Sequence, residues 1–381
     1  MARALLAFAA GEASGDLLAA PVIAALAGRL QDVRFGGIAG DRMIDAGCEA
    51  WHHIRELSVR GYAEVMRELP RLLRLRGALR ARLVRERASV FVGVDAPDFN
   101  LRLEMQLRAA GIPTVQYVSP SIWAWRGKRI EKIRRSASRV LLVFPFEQKI
   151  YDDAGIAATY VGHPLAAQIP IAPDPAAARA RLQLAARPCV AVLPGSRRAE
   201  VEHVGPAFAD AMEIMAAREP GMMFAIPAAD AQLRVRIEAL LATRPQARER
   251  SRVFDGESHA CLEAADAVLV ASGTATLEAA LYKKPMVIAY RMPRLSAWIM
   301  RRIGGYLPYV GLPNILAGEF LVPELLQEQA TPDALARALL GQLADERLRR
   351  MLEERFTQIH ESLRRDTPAL AADAIISTMK R

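Results

Sequence analysis

Short apolar segments of strand length alternate with segments of helix length along most of this 381-residue chain. Strands separated by helices predict βαβ units around a parallel sheet, and hence an α/β fold. The strand-like segments of the first half are "LLAFAA", "VRFGGIAG", "SVFVGVD", "PTVQYVS" and "RVLLVFPFE". Those of the second half are "CVAVLPGSR", "MMFAIPAA", "SRVFDG", "AVLVASG" and "PMVIAYR".

A proline-rich stretch separates the two halves. Four prolines fall between Pro164 and Pro175, which is typical of a linker followed by a new helix. A chain of this length is also too long for one ordinary core. We expect two Rossmann-like parallel-sheet domains at residues 1–165 and 166–355. The remaining residues, 356–381, have a helical pattern and form a separate C-terminal helix.

The charge of the chain indicates an acidic partner. A net charge of +9 and an isoelectric point near 9.8 fit nucleic acid, an anionic membrane or a phosphorylated substrate. The sequence contains no zinc-finger, RNA-recognition or homeodomain motif, so nucleic acid is the least favoured of the three.

The cysteines and the apolar runs indicate the compartment. Three cysteines, odd in number and far apart, argue against a disulfide framework or a zinc site and fit a reducing cytosol. The N-terminal apolar run is short and leads into a glycine-rich turn and a helix pattern, which favours a strand over an export signal. The sequence contains no uninterrupted apolar stretch of about 20 residues, so we expect no membrane span.

The segment "LVASGTATLEAAL" contains a candidate phosphate site. In open parallel sheets, ligands bind beyond the carboxyl ends of the strands. Here a strand ends at Ser272, Gly273 and Thr274, and a helix starts at once, so free amides and the helix dipole can receive phosphate. Glu278 on the same helix can accept hydrogen bonds from ribose hydroxyls. The alternative is an ordinary capped helix with a solvated glutamate.

The segment "VLPGSRRAEV" is the second candidate loop for a nucleotide diphosphate. Gly195 and Ser196 allow close approach of the main chain, and the guanidinium of Arg197 suits a diphosphate. The alternative is a surface loop with a solvated arginine. Neither loop matches Walker A or G-x-G-x-x-G, which disfavours an ATPase or a dehydrogenase.

The first strand leads into a polar loop, "AGEASGD". Gly15 permits a tight turn, while Glu12, Ser14 and Asp16 supply polar contacts for a ligand. Asp16 is equally well explained as a helix cap.

Two further segments follow strands of the first half. In "QYVSPSIWAWR", Trp123 and Trp125 lie beside Arg126 and can stack on a sugar or on acyl chains, or belong to the core. In "SVFVGVDAPDFN", a buried strand pattern ends in two carboxylates, Asp95 and Asp98.

Eight segments, taken in order along nearly the whole chain, resemble those of the lipid-A-disaccharide synthase family. They are "AGEASGD", "GVDAPDFN", "QYVSPSIWAWR", "YVGHPL", "LPGSRRAEV", "SGTATLEAAL", "PMVIAYR" and "GLPN". The resemblance implies a GT-B type fold, with two Rossmann-like domains facing each other across a cleft. It implies also that the C-terminal helix packs on the first domain or on a partner subunit. It also implies an inverting hexosyltransferase of lipid A biosynthesis.

The same resemblance implies the substrates. The C-terminal half would bind the donor UDP-2,3-diacylglucosamine, and the N-terminal half the acceptor 2,3-diacylglucosamine 1-phosphate. The products would be UDP and a β-1,6-linked disaccharide 1-phosphate.

With the family in view, Asp98 becomes the candidate general base that deprotonates the acceptor hydroxyl, and Asp95 orients the loop or the acceptor. The alternative for Asp98 is the N-cap of the helix that follows. Asn314 of "GLPN" can hydrogen-bond sugar hydroxyls or hold a turn. Arg197 and the helix start after Ser272 can stabilise the leaving UDP, so we expect neither a metal nor a cofactor.

A leucine- and arginine-rich segment, "AEVMRELPRLLRLRGALRARLVRERA", predicts a basic amphipathic helix. Its membrane contacts would be Leu69, Leu72, Arg71 and Arg74, and Val65, Leu79 and Leu83 recur at the same helical spacing. Such a helix can bind an anionic surface, and with the family resemblance this implies peripheral association with the cytoplasmic face of the inner membrane. The alternative is an ordinary helix that buries its leucines. A second candidate segment for contact with acyl chains contains Trp298, Ile299 and Met300.

Two other functions stay open at this point. A UDP-sugar epimerase of the same architecture would use the nucleotide site without an acylated acceptor. A non-catalytic protein that binds UDP-sugars or anionic lipid is the other alternative, and a homodimer is compatible with either function.

Overall fold

The computed structural model divides the chain into two compact units, Met1–Ala167 with Leu363–Arg381, and Gln168–Ser362. The sequence pattern places these bounds at 165/166 and 355/356. The residues described are 3–57, 62–123, 129–184, 188–293 and 308–379, with the main chain alone for 62–67.

The first unit contains a seven-stranded parallel sheet in the order β3-β2-β1-β4-β5-β6-β7. Its strands are β1 (Ala4–Ala10), β2 (Val33–Ala39), β3 (Cys48–His53), β4 (Val90–Val94), β5 (Thr114–Tyr117), β6 (Arg139–Leu142) and β7 (Ala158–Tyr160). Every residue of β4 is buried, as expected for a central strand covered by helices on both faces. In the register of the sheet, Ala7 pairs with Gly36 on one side and with Phe91 on the other.

Helices connect these strands. They are α1 (Ala13–Ala27), α2 (Asp41–Asp45), α3 (Tyr62–Arg85), α4 (Pro97–Ala109), α5 (Arg129–Ser136), α6 (Glu147–Asp153) and α7 (Pro164–Gln168), with a 3₁₀ turn at Ile54–Glu56. The last helix of the chain also belongs to this unit. Its buried face contains Ala371, Ala372 and Ile375, and Asp373 pairs at 2.5 Å with Arg29, which lies just after the end of α1.

The second unit repeats the design with a six-stranded parallel sheet in the order β10-β9-β8-β11-β12-β13. Its strands are β8 (Cys189–Leu193), β9 (Met223–Ala228), β10 (Ser251–Asp255), β11 (Ala267–Ala271), β12 (Met286–Tyr290) and β13 (Glu324–Leu326). The three central strands β8, β11 and β12 are buried almost throughout.

The helices of the second unit and the closing helix complete the chain. They are α8 (Pro175–Leu182), α9 (Arg198–Arg218), α10 (Ala231–Leu241), α11 (Pro245–Glu249), α12 (Ser258–Ala264), α13 (Thr274–Leu281), α14 (Leu312–Ala317), α15 (Pro332–Ala344), α16 (Glu346–Leu363) and α17 (Thr367–Thr378), with a 3₁₀ turn at Gln327–Gln329.

Both sheets have the same switch in strand order. The chain builds outward on one side of the first strand of each sheet and then crosses to the other side, between β1 and β4 in the first unit and between β8 and β11 in the second. Ligands of doubly wound sheets bind at this switch point, beyond the carboxyl ends of the strands. The polar loops singled out from the sequence follow β1, β4, β8 and β11.

No helix within the described ranges is both long enough and apolar enough to cross a bilayer.

Candidate active site

A pocket of about 520 Å³ opens at the switch point of the second sheet. The loops after β8, β9, β10 and β11 form its wall. Its lining includes Gly195, Ser196, Arg197, Glu200, Ala228, Gly256, Ser258, Ser272, Gly273, Thr274, Glu278 and Tyr290. Seven of the residues predicted to bind the donor therefore share one pocket.

The start of α13 points its first amides into this pocket. Gly273 occupies the N-cap position without a side-chain cap, and Thr274 is the first helical residue. The first amides of a helix have no partner within it and carry the positive end of the dipole, so they suit a phosphate. The amide of Ser272 is already used, because it donates to the carbonyl of Ala289 in the sheet.

Glu278 lies one turn further along α13 and also lines the pocket. Burial raises the pKa of its carboxyl, while the imidazole of His259, 3.7 Å away, opposes that shift. His259 is in turn within hydrogen-bonding distance of the hydroxyl of Tyr282 (3.2 Å). A carboxyl held at the pocket wall can accept hydrogen bonds from a pair of sugar hydroxyls.

Glu200 shapes the loop after β8. Its carboxylate accepts hydrogen bonds from the amides of Ser196 (2.9 Å) and Arg197 (3.2 Å). These two amides are therefore not free for a ligand. The guanidinium of Arg197 is 78% exposed, with Glu200 as a distant partner at 4.0 Å, and is the group of this loop that can reach a diphosphate.

Asn314 is the exception among the predicted donor residues. Its side chain is completely buried, donates to the Val322 carbonyl and to Glu324, and accepts from the amides of Leu321 and Val322. Both the oxygen and the nitrogen of the Asn314 amide are therefore occupied by its own loop. This contradicts the predicted hydrogen bonds to sugar hydroxyls and favours the alternative, in which Asn314 holds the turn.

The loops after β1 and β4 meet at the switch point of the first sheet. A Cβ at Gly11 would lie 2.4 Å from that of Ala96, so only glycine lets the two loops approach so closely. The negative charge of Glu12 faces Asp95 and, after burial, is a further cause of the raised pKa of the Asp95 carboxyl. Two predicted acceptor residues therefore lie together.

The turn that carries the carboxylates is strained. Asp95 and Ala96 both have positive φ, 53° and 42°, which is uncommon for residues other than glycine. The buried amide of Asn100 donates to the Asp95 carbonyl at 2.9 Å, and that of Gln116 donates to the same atom at 3.2 Å. These two side chains hold the turn in place.

Asp98 is not the helix cap that the alternative interpretation requires. The N-cap of α4 is Ala96, and Asp98 follows Pro97 within the first turn. Its carboxylate is 80% exposed and pairs with the guanidinium of Arg129 at 2.5 Å, which fixes its direction. The structure thus leaves Asp98 free to contact a ligand and adds Arg129 as its partner.

Asp16 has a different place from the one predicted. It is buried, and its carboxylate accepts hydrogen bonds from the amides of Gly40 (3.0 Å), Arg42 (3.1 Å) and Met43 (3.0 Å). It therefore caps α2, whereas the sequence offered a ligand contact or a cap of its own helix. Ser14 remains exposed in the first turn of α1, and Gly15 packs against the ends of β1 and β4.

Trp123 lies at the same edge of the first sheet, in the loop after β5. Its indole N–H donates to Glu147 at 3.2 Å, and its ring packs edge-on against Phe146 with centroids 5.4 Å apart. Trp125 and Arg126 lie outside the described residues.

The arginine-rich helix α3 has both buried and exposed leucines, so part of it fits an ordinary domain helix and part fits a membrane-binding helix. Leu79 and Leu83 belong to the core, with 2% and 0% exposed, as the alternative of an ordinary domain helix requires. Leu69 is 40% exposed and Leu73, which was not predicted, is 44% exposed. Leu72 is half-buried. Arg74 is exposed, and Arg71 pairs with Glu68 at 2.5 Å.

Four of the residues named for the two candidate membrane segments lie where the structure describes no side chain. The side chain of Val65 and the whole segment with Trp298, Ile299 and Met300 lie outside the described residues. The described part of the chain also contains no group of three or more metal-ligating side chains.

Solved structures share the overall architecture. The MurG structure of Acinetobacter baumannii is 15% identical, with a TM-score of 0.58, covering 98% of this chain and 99% of that one. The UDP-GlcNAc 2-epimerase of Neisseria meningitidis, bound to UDP-GlcNAc, is 12% identical, with a TM-score of 0.57 and 98% of both chains covered. At these identities the likeness shows the fold: this chain is a GT-B type α/β protein with two Rossmann-like domains.

Sequence relatives decide between the members of this class. The lipid-A-disaccharide synthetase family model matches residues 6–375. The lipid-A-disaccharide synthase of Burkholderia vietnamiensis is 53% identical, covering 99% of this chain and 96% of the relative. That of Cupriavidus pinatubonensis is 54% identical, covering 99% and 94%. The chain belongs to the lipid-A-disaccharide synthetase family and is a glycosyltransferase.

Sequence reasoning missed five residues that shape the site. They are Asn100, Gln116, Arg129, Glu147 and Glu200. The partners of Gln116, Arg129 and Glu147 are distant in the sequence, so no local pattern identifies these three. Asn100 and Glu200 had local signals. Asn100 stands in "DAPDFN", directly after the two carboxylates, and Glu200 follows Arg197 by three residues, the spacing of a capping box.

Proposed function

We propose that this chain joins UDP-2,3-diacylglucosamine to 2,3-diacylglucosamine 1-phosphate, giving a β-1,6-linked disaccharide 1-phosphate and UDP. Membership of the family over residues 6–375 carries this proposal. The polar loops at both switch points provide one site for each substrate, the donor in the second unit and the acceptor in the first.

The donor is bound by the pocket of the second unit. The first amides of α13 and the guanidinium of Arg197 receive the diphosphate, and the carboxyl of Glu278 accepts hydrogen bonds from the ribose. This assignment is supported by the shared pocket that these groups line.

Asp98 is the general base. It takes the proton of the acceptor hydroxyl as that oxygen attacks the anomeric carbon, with inversion, and UDP leaves. A positioned carboxylate contributes roughly 10²–10⁴-fold to such a step. Arg129 orients the carboxylate through the 2.5 Å ion pair, and Asp95 with Glu12 forms the polar wall beside it.

The charge of the leaving UDP is stabilised by Arg197 and the start of α13 rather than by a divalent cation. Turnover should therefore persist in excess EDTA, measured as UDP released per enzyme. Loss of activity in EDTA, followed by recovery with Mg²⁺, would show that a metal ion stabilises the leaving UDP instead.

Association with an anionic membrane brings the enzyme to its acylated substrates. The exposed Leu69 and Leu73 on α3 can insert among lipid chains, and Arg74 adds a charge that anionic headgroups attract by about 1 kcal/mol. The proposed location is therefore peripheral, on the cytoplasmic face of the inner membrane, and these exposed side chains support it.

The decisive experiment combines purified protein with both acylated sugars and follows UDP and disaccharide. UDP release should depend on the acceptor and match the disaccharide formed. UDP-sugar conversion without acceptor would indicate an epimerase instead, and binding without turnover would indicate a non-catalytic protein.

A further inference from the structure

A buried carboxyl ties together two loops at the acceptor edge of the first sheet. Glu147, the first residue of α6, is 1% exposed. One of its oxygens accepts from the Trp123 indole (3.2 Å), and the other accepts from the Phe144 amide (3.2 Å). The hydroxyl of Ser119, which bonds that of Tyr151 at 2.7 Å, interacts with the same carboxyl.

Glu147 changes charge near neutral pH and its neighbours do not. Burial raises the pKa of Glu147 to about 7, even though its hydrogen bonds favour the ionised form. On the elements around it, burial lowers the pKa of His163 to about 4 and raises that of Tyr160 to about 12. Burial also raises the pKa of Tyr151, and the charged guanidinium of Arg365 lies 5.2 Å from the Tyr160 ring.

The raised pKa means that the ionised form costs stability. Between the ordinary pKa of 4.5 and about 7, the folded chain holds more protons than the unfolded chain, so this group lowers stability as pH rises. A glutamine would avoid that cost. A carboxyl kept where it destabilises the fold is a mark of a functional position.

The Trp123 side chain that Glu147 holds lies in the loop after β5, at the edge of the first sheet where the acceptor is proposed to bind. Strand β5 pairs with β4, which leads directly into the Asp95 turn. We propose that Glu147 is a positioning residue for the acceptor: its carboxylate fixes the Trp123 indole at this edge. This inference rests on the proposed function.

The test is Glu147→Gln. Glutamine has the shape of the protonated acid, and its NH₂ group would face one of the two donors, so Trp123 or Phe144 loses its acceptor. The KM for the acceptor should rise about tenfold at pH 8, the equivalent of one lost charge-assisted hydrogen bond, with the KM for the UDP-sugar unchanged. In the wild type the acceptor KM should rise as pH falls through about 7, and in the variant it should be flat.

Stability separates a positioning role from a structural one. At pH 8, Glu147→Gln should keep a free energy of unfolding close to that of the wild type in urea denaturation, because removal of a buried charge offsets the lost hydrogen bond. An unchanged acceptor KM would overturn the proposal, whatever the stability of the variant.

Glu104→Gln is the matched control. Glu104 is also completely buried in the first unit, and burial raises its pKa to about 8, so it is mostly neutral at pH 7 and glutamine preserves its charge. The pH profile of the acceptor KM between pH 6 and 7.5 should keep its wild-type form. The same flattening in this variant would mean that any buried carboxyl gives the effect, and the proposal would fail.

A spectroscopic measurement keeps this inference separate from the proposed function. The indole N–H signal of Trp123, assigned by its loss in Trp123→Phe, should titrate with a midpoint of about 7 in the wild type and should not titrate in Glu147→Gln. Absence of disaccharide with this titration intact would sink the proposed function alone. A Trp123 signal that does not respond to pH in the wild type would sink the positioning role.

Discussion

The buried side chain of Asn314 uses both its oxygen and its nitrogen in hydrogen bonds within its own unit. Replacing it with alanine leaves the amides of Leu321 and Val322 without their acceptor. An unsatisfied buried group costs about 1–3 kcal/mol, so Asn314→Ala should lower the free energy of unfolding by at least that amount. Urea denaturation measures it. Wild-type stability combined with a raised donor KM would restore the sugar-binding role.

Residue types alone could not separate such roles. Asp16 and Asp98 both follow a strand of the first sheet, yet one caps α2 and the other is exposed in an ion pair. The partners of Asp16 lie 24 to 27 residues away in the sequence. The sequence therefore predicted which loops matter, and the fold decided which side chains within them are free.

At the scale of an element, the turn from β8 into α9 depends on Gly195. Its φ is 125°, and a Cβ there would lie 2.4 Å from the Cβ of Glu200. Gly195→Ala should therefore displace the loop and raise the KM for the UDP-sugar, by roughly tenfold or more if one contact to the diphosphate is lost. Steady-state kinetics with the donor varied measure this.

Gly341→Ala is the control for that variant. Gly341 lies inside α15, and a Cβ there would meet nothing within 4 Å. Alanine should stabilise the helix by about 0.5–1 kcal/mol and leave the donor KM unchanged. An equal KM for the UDP-sugar in Gly195→Ala and Gly341→Ala would contradict the proposal that the β8–α9 turn helps to bind the donor.

The exposed leucines of α3 allow a test of membrane binding. Leu69→Ser with Leu73→Ser removes apolar surface that the structure leaves in water, so binding to vesicles of anionic phospholipid should weaken about tenfold while the melting temperature stays unchanged. Vesicle co-sedimentation measures it. Binding of the wild type should also fall as salt is raised, because part of the attraction is electrostatic.

Leu79→Ala separates the other face of the same helix. Leu79 is 2% exposed, so its truncation should cost about 2–5 kcal/mol of stability. Vesicle binding of the folded fraction should remain at the wild-type level. If the double serine variant bound vesicles as well as the wild type does, α3 would be an ordinary domain helix.

Helical periodicity could not show which leucines of α3 are buried. A basic amphipathic helix has the same spacing whether its apolar side faces a core or a lipid surface. The buried Leu79 and the exposed Leu69 differ because α3 packs against α4 over only part of its surface, which is a tertiary contact that the spacing does not contain.

At the scale of the whole molecule, the alternation of strands and helices was sufficient to predict two parallel sheets. Right-handed crossovers and burial on both faces leave few other arrangements for such a pattern. The strand order and the two switch points then follow from the doubly wound class. The pattern of strands and helices does not place the last helix. The family resemblance left open the first domain or a partner subunit, and long-range contacts such as Arg29 with Asp373 hold the helix in the first unit.

The account as a whole depends on Asp98 as the base, and Asp98→Asn tests it most directly. The side chain is 80% exposed and is not the N-cap, so the substitution should leave stability within about 1 kcal/mol. Asp153→Asn, an exposed aspartate paired with Lys149, is the matched control. With both substrates saturating, disaccharide formation by Asp98→Asn should be roughly 10²–10⁴-fold slower, with UDP-sugar binding intact. Turnover close to that of the wild type and of Asp153→Asn would contradict the mechanism.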